Sequence, residues 1–231
     1  MSPKNTPRPR PAVMSWSSGK DSALALHRAL QDPNLEIIAL LSSFNQTVSR
    51  VAIHGTRKEV AKAQAAALGL PLIEVDLPSP CSNAVYEQIM AATVNKLQAE
   101  GVNDWIFGDL FLEDIRAYRE EMLSPLGINP HFPLWGQDTS QLARNMIKAG
   151  IEAYIVTLDP KHLPASLCGA RYDHRFLDAL PSTVDPCGEY GEFHTVVANS
   201  PDFAAPLPLK IGETLERSGF IYTDFSLAPN G

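Results

Sequence analysis

Apolar residues recur along the chain in short runs bounded by turn-forming residues. AVMSW at 12–16, LEIIALLSSF at 35–44, LIEVDL at 72–77 and WIFGDL at 105–110 have the near-continuous character of strands buried on both faces. Helical periodicity fills the intervals. Residues 21–30 form the first such stretch. Residues 54–68 are rich in Ala, Lys, Glu and Gln, with Gly69 placed as a C′ residue. Residues 83–100 carry Val85, Ile89 and Ala92 on one face, with Gly101 after them. A helical stretch at 139–149 precedes a fifth apolar run, AYIVTL at 153–158.

Alternating strands and helices of this kind predict an α/β fold, a Rossmann-like (HUP-type) parallel sheet with helices on both faces. Ligands of such sheets bind beyond the carboxyl ends of the strands, which directs attention to the loops 15–22, 44–55, 76–82 and 108–116. After about residue 129 prolines and aromatics become denser and helices shorten. The expected organisation is a flexible tail at 1–11, a nucleotide-binding domain at 12–128 and a smaller α+β, substrate-side domain at 129–231. The run 153–158 is open to joining either sheet.

At 231 residues the chain can bury a core without disulfide or metal staples. No uncharged apolar run is long enough to cross a membrane, and the tail, with its prolines and basic residues, has no apolar stretch of a secretory signal. With 26 acidic against 19 basic residues the net charge is −7. No basic stripe is visible, so long nucleic acid is not an expected partner. Three cysteines, Cys81, Cys168 and Cys187, are odd in number and far apart, which argues against a disulfide framework or a CxxC zinc site and suits a reducing cytoplasm.

The sharpest chemical signal is SWSSGKDS at 15–22, between the first strand and the first helix. Small residues let a backbone curl around an anion, Gly19 can supply a positive φ, and the following helix offers its free N–H groups. Ser17, Ser18 and Ser22 add hydroxyls, Lys20 a full charge. The string is neither GxxxxGK[ST] nor GxGxxG. It resembles the PP-loop, SGGKDS, of the ATP-pyrophosphatase group, with Ser18 in place of the second glycine. That resemblance implies ATP cleavage between the α- and β-phosphates, adenylation of an acceptor oxygen and displacement of AMP by a nucleophile.

Further segments carry a closer resemblance: IHG at 53–55, GD at 108–109 followed by FLEDIR at 111–116 and YR at 118–119, PLWG at 133–136, and DPCGEYGEFHT at 185–195. Together they resemble the diphthine–ammonia ligase-like PP-loop ATPase family of the adenine nucleotide alpha hydrolase-like superfamily, in its bacterial branch. The resemblance spans about residues 13–203. It implies an ATP-dependent, AMP-forming amide ligase whose ExGE motif lies on the substrate side. Eukaryotic and archaeal members amidate the diphthine carboxylate of elongation factor 2 with ammonia. Tyr190 departs from the small polar residue expected there.

The candidate site follows. Ser15, Ser17, Ser18, Gly19, Lys20, Asp21 and Ser22 would hold the nucleotide phosphates, with Gly108 and Ser42 at neighbouring strand ends. His54 and Gly55, opening a helix, would meet a phosphate or the adenosine. Asp109 would hold Mg²⁺ against the phosphates, and Arg116 would stabilise departing charge, although a surface pair with Glu113 explains it equally. Glu189 and Glu192, with His194 and Thr195, would orient or deprotonate an amine; a charged hairpin turn is the plainer explanation of the residues alone. Lys20, Asp109, Glu189 and Glu192 form the catalytic set. Cys187 reads as a packing thiol. Expected ligands are ATP, Mg²⁺, a carboxylate-bearing acceptor and ammonia or an amine, with homo-oligomers open. The competing functions are PP-loop sulfur transfer to tRNA, which would call for cysteine pairs and a basic surface, and a nucleotide sensor without turnover.

Overall fold

The computed structural model describes residues 8–229. The first layer is a mostly parallel sheet. β1 (Arg10–Ser15) pairs on one side with β2 (Leu35–Asn45), which pairs in turn with β4 (Leu72–Leu77); on its other side β1 pairs with β5 (Asp104–Ile106), and β5 with β6 (Asn129–His131). Two-residue β3 (Arg50–Val51) runs antiparallel to the end of β2. The helices are α1 (Lys20–Ala29), α2 (Lys58–Leu68), α3 (Asn83–Ala99) and α4 (Glu113–Leu123). β1 has β2 on one side and β5 on the other, so the loops after β1 and β5 diverge at the topological switch point where such sheets bind ligands.

The second layer is an antiparallel sheet in the order β8–β7–β10–β9, formed by β7 (Glu152–Leu158), β8 (Phe193–Asn199), β9 (Leu209–Arg217) and β10 (Phe220–Leu227), with α5 (Thr139–Lys148) and α6 (His174–Asp178) beside it. The run at 153–158 therefore belongs to the second sheet, while the fifth parallel strand is the short β6.

Burial explains the continuous apolar strands. Along β1, Ala12 and Met14 face a core shared with α1, α5 and the second sheet, including Phe193 and Ile221. Val13 faces the opposite core, beneath Met90, Val94 and Leu97 of α3 and Leu123 of α4. The first cluster thus runs without interruption from one sheet to the other.

Several expectations are corrected. Arg10 and Pro11 belong to β1 rather than to a tail, and residues 1–7 lie outside the described residues. The helix expected from 54 begins only at Lys58; His54 and Gly55 lie in a turn after β3, Gly55 with φ 79°. α3 buries Met90, Val94 and Leu97, leaving Val85 exposed. Gly69 does cap α2, in the left-handed conformation with φ 67°.

A fully buried side chain joins the layers. The Gln64 carboxamide of α2 accepts from the Trp16 indole at 2.9 Å and donates to the carbonyls of Ser18 at 3.2 Å and Val197 at 2.7 Å. α2, the loop after β1 and β8 meet at this one group. Gln64→Leu keeps the bulk but orphans the indole N–H and the Val197 carbonyl. With about 1–3 kcal/mol for each buried group left unsatisfied, it is expected to lower stability by about 2–4 kcal/mol. Urea unfolding checks this: a lower midpoint at unchanged slope is expected, and an unchanged midpoint would contradict it.

Candidate active site

The loop after β1 enters α1 through Gly19, which has φ −96°. The positive φ expected of Gly19 is found one residue earlier, at Ser18, with φ 71°. Gly19 is needed for space: a Cβ there would lie 3.2 Å from the Thr195 carbonyl oxygen and 3.3 Å from its hydroxyl. Ser17 Oγ accepts from the Gly19 N–H at 3.3 Å, Ser17 and Ser22 hydroxyls meet at 3.0 Å, and Ser22 Oγ donates to the Gly19 carbonyl at 2.9 Å. β8 supports the loop from below. The Val197 N–H donates to the Ser18 carbonyl at 2.9 Å, and the Lys20 N–H to Thr195 Oγ1 at 3.1 Å. The Ser18 hydroxyl and Asp21 Oδ1 are buried without partners among the described residues.

Lys20 differs from the expected free charge. Its side chain is buried; Nζ pairs with Asp21 at 2.9 Å, donates to the Cys187 carbonyl and lies 5.3 and 5.2 Å from the ring centres of Tyr172 and Phe193. Burial opposes its charge, but the surrounding groups, Asp21 foremost, together outweigh this and hold the ammonium above the ordinary lysine value. Cys187 beside it is buried, and loss of solvation pushes its thiol far up, which fits a packing group rather than a nucleophile.

The loop after β5 forms another wall. A Cβ on Gly108 would lie 3.0 Å from the Asp21 carbonyl carbon and the Ser22 nitrogen, so glycine permits the backbone to touch the N-terminus of α1. Asp109 lines the cavity but accepts two hydrogen bonds from Arg119 of α4, at 2.6 and 3.0 Å. Among the described residues no group of three His, Cys, Asp or Glu is placed to hold a metal. Both Asp109 oxygens accept from Arg119 at the cavity wall.

The turn before β8 brings the late motif to the same cavity, of about 240 Å³, where Glu189, His194 and Thr195 line it together with Ser15, Ser17, Gly19, Lys20, Asp21, Ser22, His54, Gly108 and Asp109. Glu189 accepts from the Leu110 N–H at 2.9 Å. Burial, with Asp21 and Asp109 nearby, raises its carboxyl to about 7, against the pull of that hydrogen bond. His54 and His194 have ring centres 4.5 Å apart.

Five expected residues are not at the cavity wall. Ser18 is fully buried beneath the loop. Ser42 is buried and donates to the Trp16 carbonyl at 2.6 Å, tying β2 to the loop. Gly55 packs towards Tyr222 and Thr157. Arg116 turns away to Glu120 at 2.7 Å and lies 4.9 and 4.8 Å from the rings of Phe132 and Trp135; one helical turn on, Arg119 takes the cavity position. Glu192 points inward: Oε1 accepts from the Asp185 N–H at 2.9 Å and Oε2 is buried without a partner among the described residues. Its carboxylate shapes the turn that carries Glu189. His194 and Thr195, expected beside the two glutamates, are at the wall; the candidate missing from the expected set is Arg119, indistinguishable from Arg116 by spacing alone.

Residues 10–130 match the family model described as diphthamide synthase N-terminal domain, and residues 138–222 the model described as diphthamide synthase C-terminal domain. No curated protein matches the chain.

Ser18 combines a left-handed backbone with an unpartnered buried hydroxyl. Left-handed backbone costs a residue with a side chain roughly 1–2 kcal/mol, partly offset by the larger unfolded-state entropy of glycine. Ser18→Gly is therefore expected to raise stability by about 1 kcal/mol. Thermal unfolding checks the sign; a lower Tm in the variant would show that the hydroxyl stabilises the loop.

Proposed function

The chain belongs to the diphthamide synthase family, and we propose that it is an ATP-dependent enzyme that adenylates a carboxylate and amidates it with ammonia or an amine. Family membership supports an ATP-using enzyme of the ligase kind. The observation that carries the finer reading is Glu189, a carboxyl balanced near neutrality, in one cavity with the serine-lined loop at the N-terminus of α1.

In this reading ATP enters with its magnesium on the phosphates. The first-turn N–H groups of α1 beyond Lys20, whose own N–H Thr195 takes, and the Ser17 hydroxyl face the phosphate chain in this reading. An acceptor carboxylate oxygen attacks the α-phosphorus and pyrophosphate leaves. The amine nitrogen then attacks the acyl carbon, AMP leaves with the bonding electrons of the acyl–oxygen bond, and Glu189 takes the amine proton. A carboxyl near 7 can both accept and return a proton under neutral conditions. Glu192 acts through the turn it braces and not on substrate, which revises its expected catalytic role. Sulfur transfer finds no support in the three scattered cysteines, one exposed, one half-buried and one buried.

Two outcomes test this. Turnover followed by phosphorus NMR is expected to yield AMP and pyrophosphate; ADP as the main product would contradict the reading. Glu189 acts as a base only when ionised, so the rate at saturating substrate should rise with pH through about 7. Glu189→Gln should remove that limb and cut kcat by about 10²–10⁴-fold, with ATP affinity little changed. A retained limb in the variant would assign the ionisation to another group.

A further inference from the structure

His194 lies in β8 and His54 in the turn after β3, and the proposed chemistry leaves both unused. Thr157 of β7 mounts the two: it faces His194 across the β7–β8 ladder, and its hydroxyl donates to the His54 carbonyl at 3.1 Å. The rings are held 4.5 Å apart and line the cavity beside Gly19 and Thr195. His54 Nδ1 is buried with no hydrogen-bond partner among the described residues, so the pair carries one unsatisfied ring nitrogen.

We propose that His54 and His194 form a second contact for the phosphates of the nucleotide, facing the loop, and that the pair takes up one proton from solvent when those phosphates bind. The inference rests on the nucleotide reading above. Without an anion, burial keeps both rings neutral and nearby Lys20 reinforces this, holding His194 at about 4 and His54 well below the ordinary range. The charged and titratable groups sharing the cavity are Lys20 and Asp21 from α1, Asp109 after β5, Arg119 from α4, and the Cys187 thiol and Glu189 before β8. A polyphosphate adds several negative charges among them. It offsets the repulsion from Lys20, and an imidazolium then donates where a neutral ring would leave a nitrogen unpaired. Two adjacent rings do not both charge, because the first imidazolium repels the second proton.

The test must observe the imidazoles directly, since Glu189 also titrates near neutrality. In protein carrying ¹⁵N-labelled histidine, His54→Gln and His194→Gln assign the ring signals. At about pH 6 both rings should read as neutral in the free protein, and one should take the imidazolium pattern on saturation with MgATP. ATP affinity by calorimetry should fall about tenfold in His194→Gln at about pH 6 and no more than about twofold at about pH 8, the difference expected of one charge-assisted contact. His54→Gln, read the same way, serves if His194→Gln does not fold. Normal ATP binding with both rings neutral, or an equal loss of affinity at both pH values, would overturn the proton-linked contact alone. Failure of the unaltered protein to bind ATP would instead remove the nucleotide reading, and this inference with it.

Discussion

The shape of the phosphate loop depends on a contact between segments remote in sequence. Ser18 gives its carbonyl both to the Val197 N–H of β8 and to the Gln64 carboxamide of α2. The Lys20 N–H is received by Thr195 of the same strand. A loop of small residues has many accessible conformations, and fixing one costs backbone entropy. Here the second sheet provides the fixation, so the curvature that faces a ligand belongs jointly to both layers. The tight fit of Gly19 against Thr195 and of Gly108 against α1 follows from that closeness.

Electrostatics in the cavity are built on the same junction. A lysine is carried inward beside two aromatic rings and held by an aspartate and a carbonyl, while an arginine from α4 occupies the aspartate after β5. These charges are largely matched within the protein. What remains adjustable is a carboxyl near neutrality and a pair of neutral imidazoles. Groups of this type can change protonation when a charged molecule arrives, whereas a tightly paired lysine or arginine contributes a fixed field.

Much of the parallel sheet was legible because its strands are buried on both faces and so appear as unbroken apolar runs. β6 escaped because its residues, Asn129, Pro130 and His131, carry no apolar signal; their place comes from pairing with β5. The helical composition of 58–68 adjoins residues 54–57 with no proline between them, which masks the turn that holds His54 and Gly55. Within the site, the phosphate loop was readable from its residue types and its position after a strand. The roles of Arg116 and Arg119 were not, because Phe132 and Trp135, which capture Arg116, arrive from another segment. Likewise ExGE spacing could not reveal that a tight turn sends Glu189 and Glu192 in opposite directions: Gly188 has φ 71°, and a Cβ there would lie 2.7 Å from the Phe193 carbonyl oxygen.

The hydrogen bond from Lys20 to Thr195 spans 175 positions of sequence, and that distance has a temporal side. A ribosome completes the first parallel strands and α1 long before β8 emerges, and domains fold in the order in which they are made. Until the last third of the chain is available, the loop lacks the strand that gives it form, and the cavity lacks Glu189 and both residues that follow Phe193. A nascent chain thus carries the nucleotide motif in an unassembled state, and the complete cavity arises only when synthesis has passed the residues that would take part in the second half of the reaction.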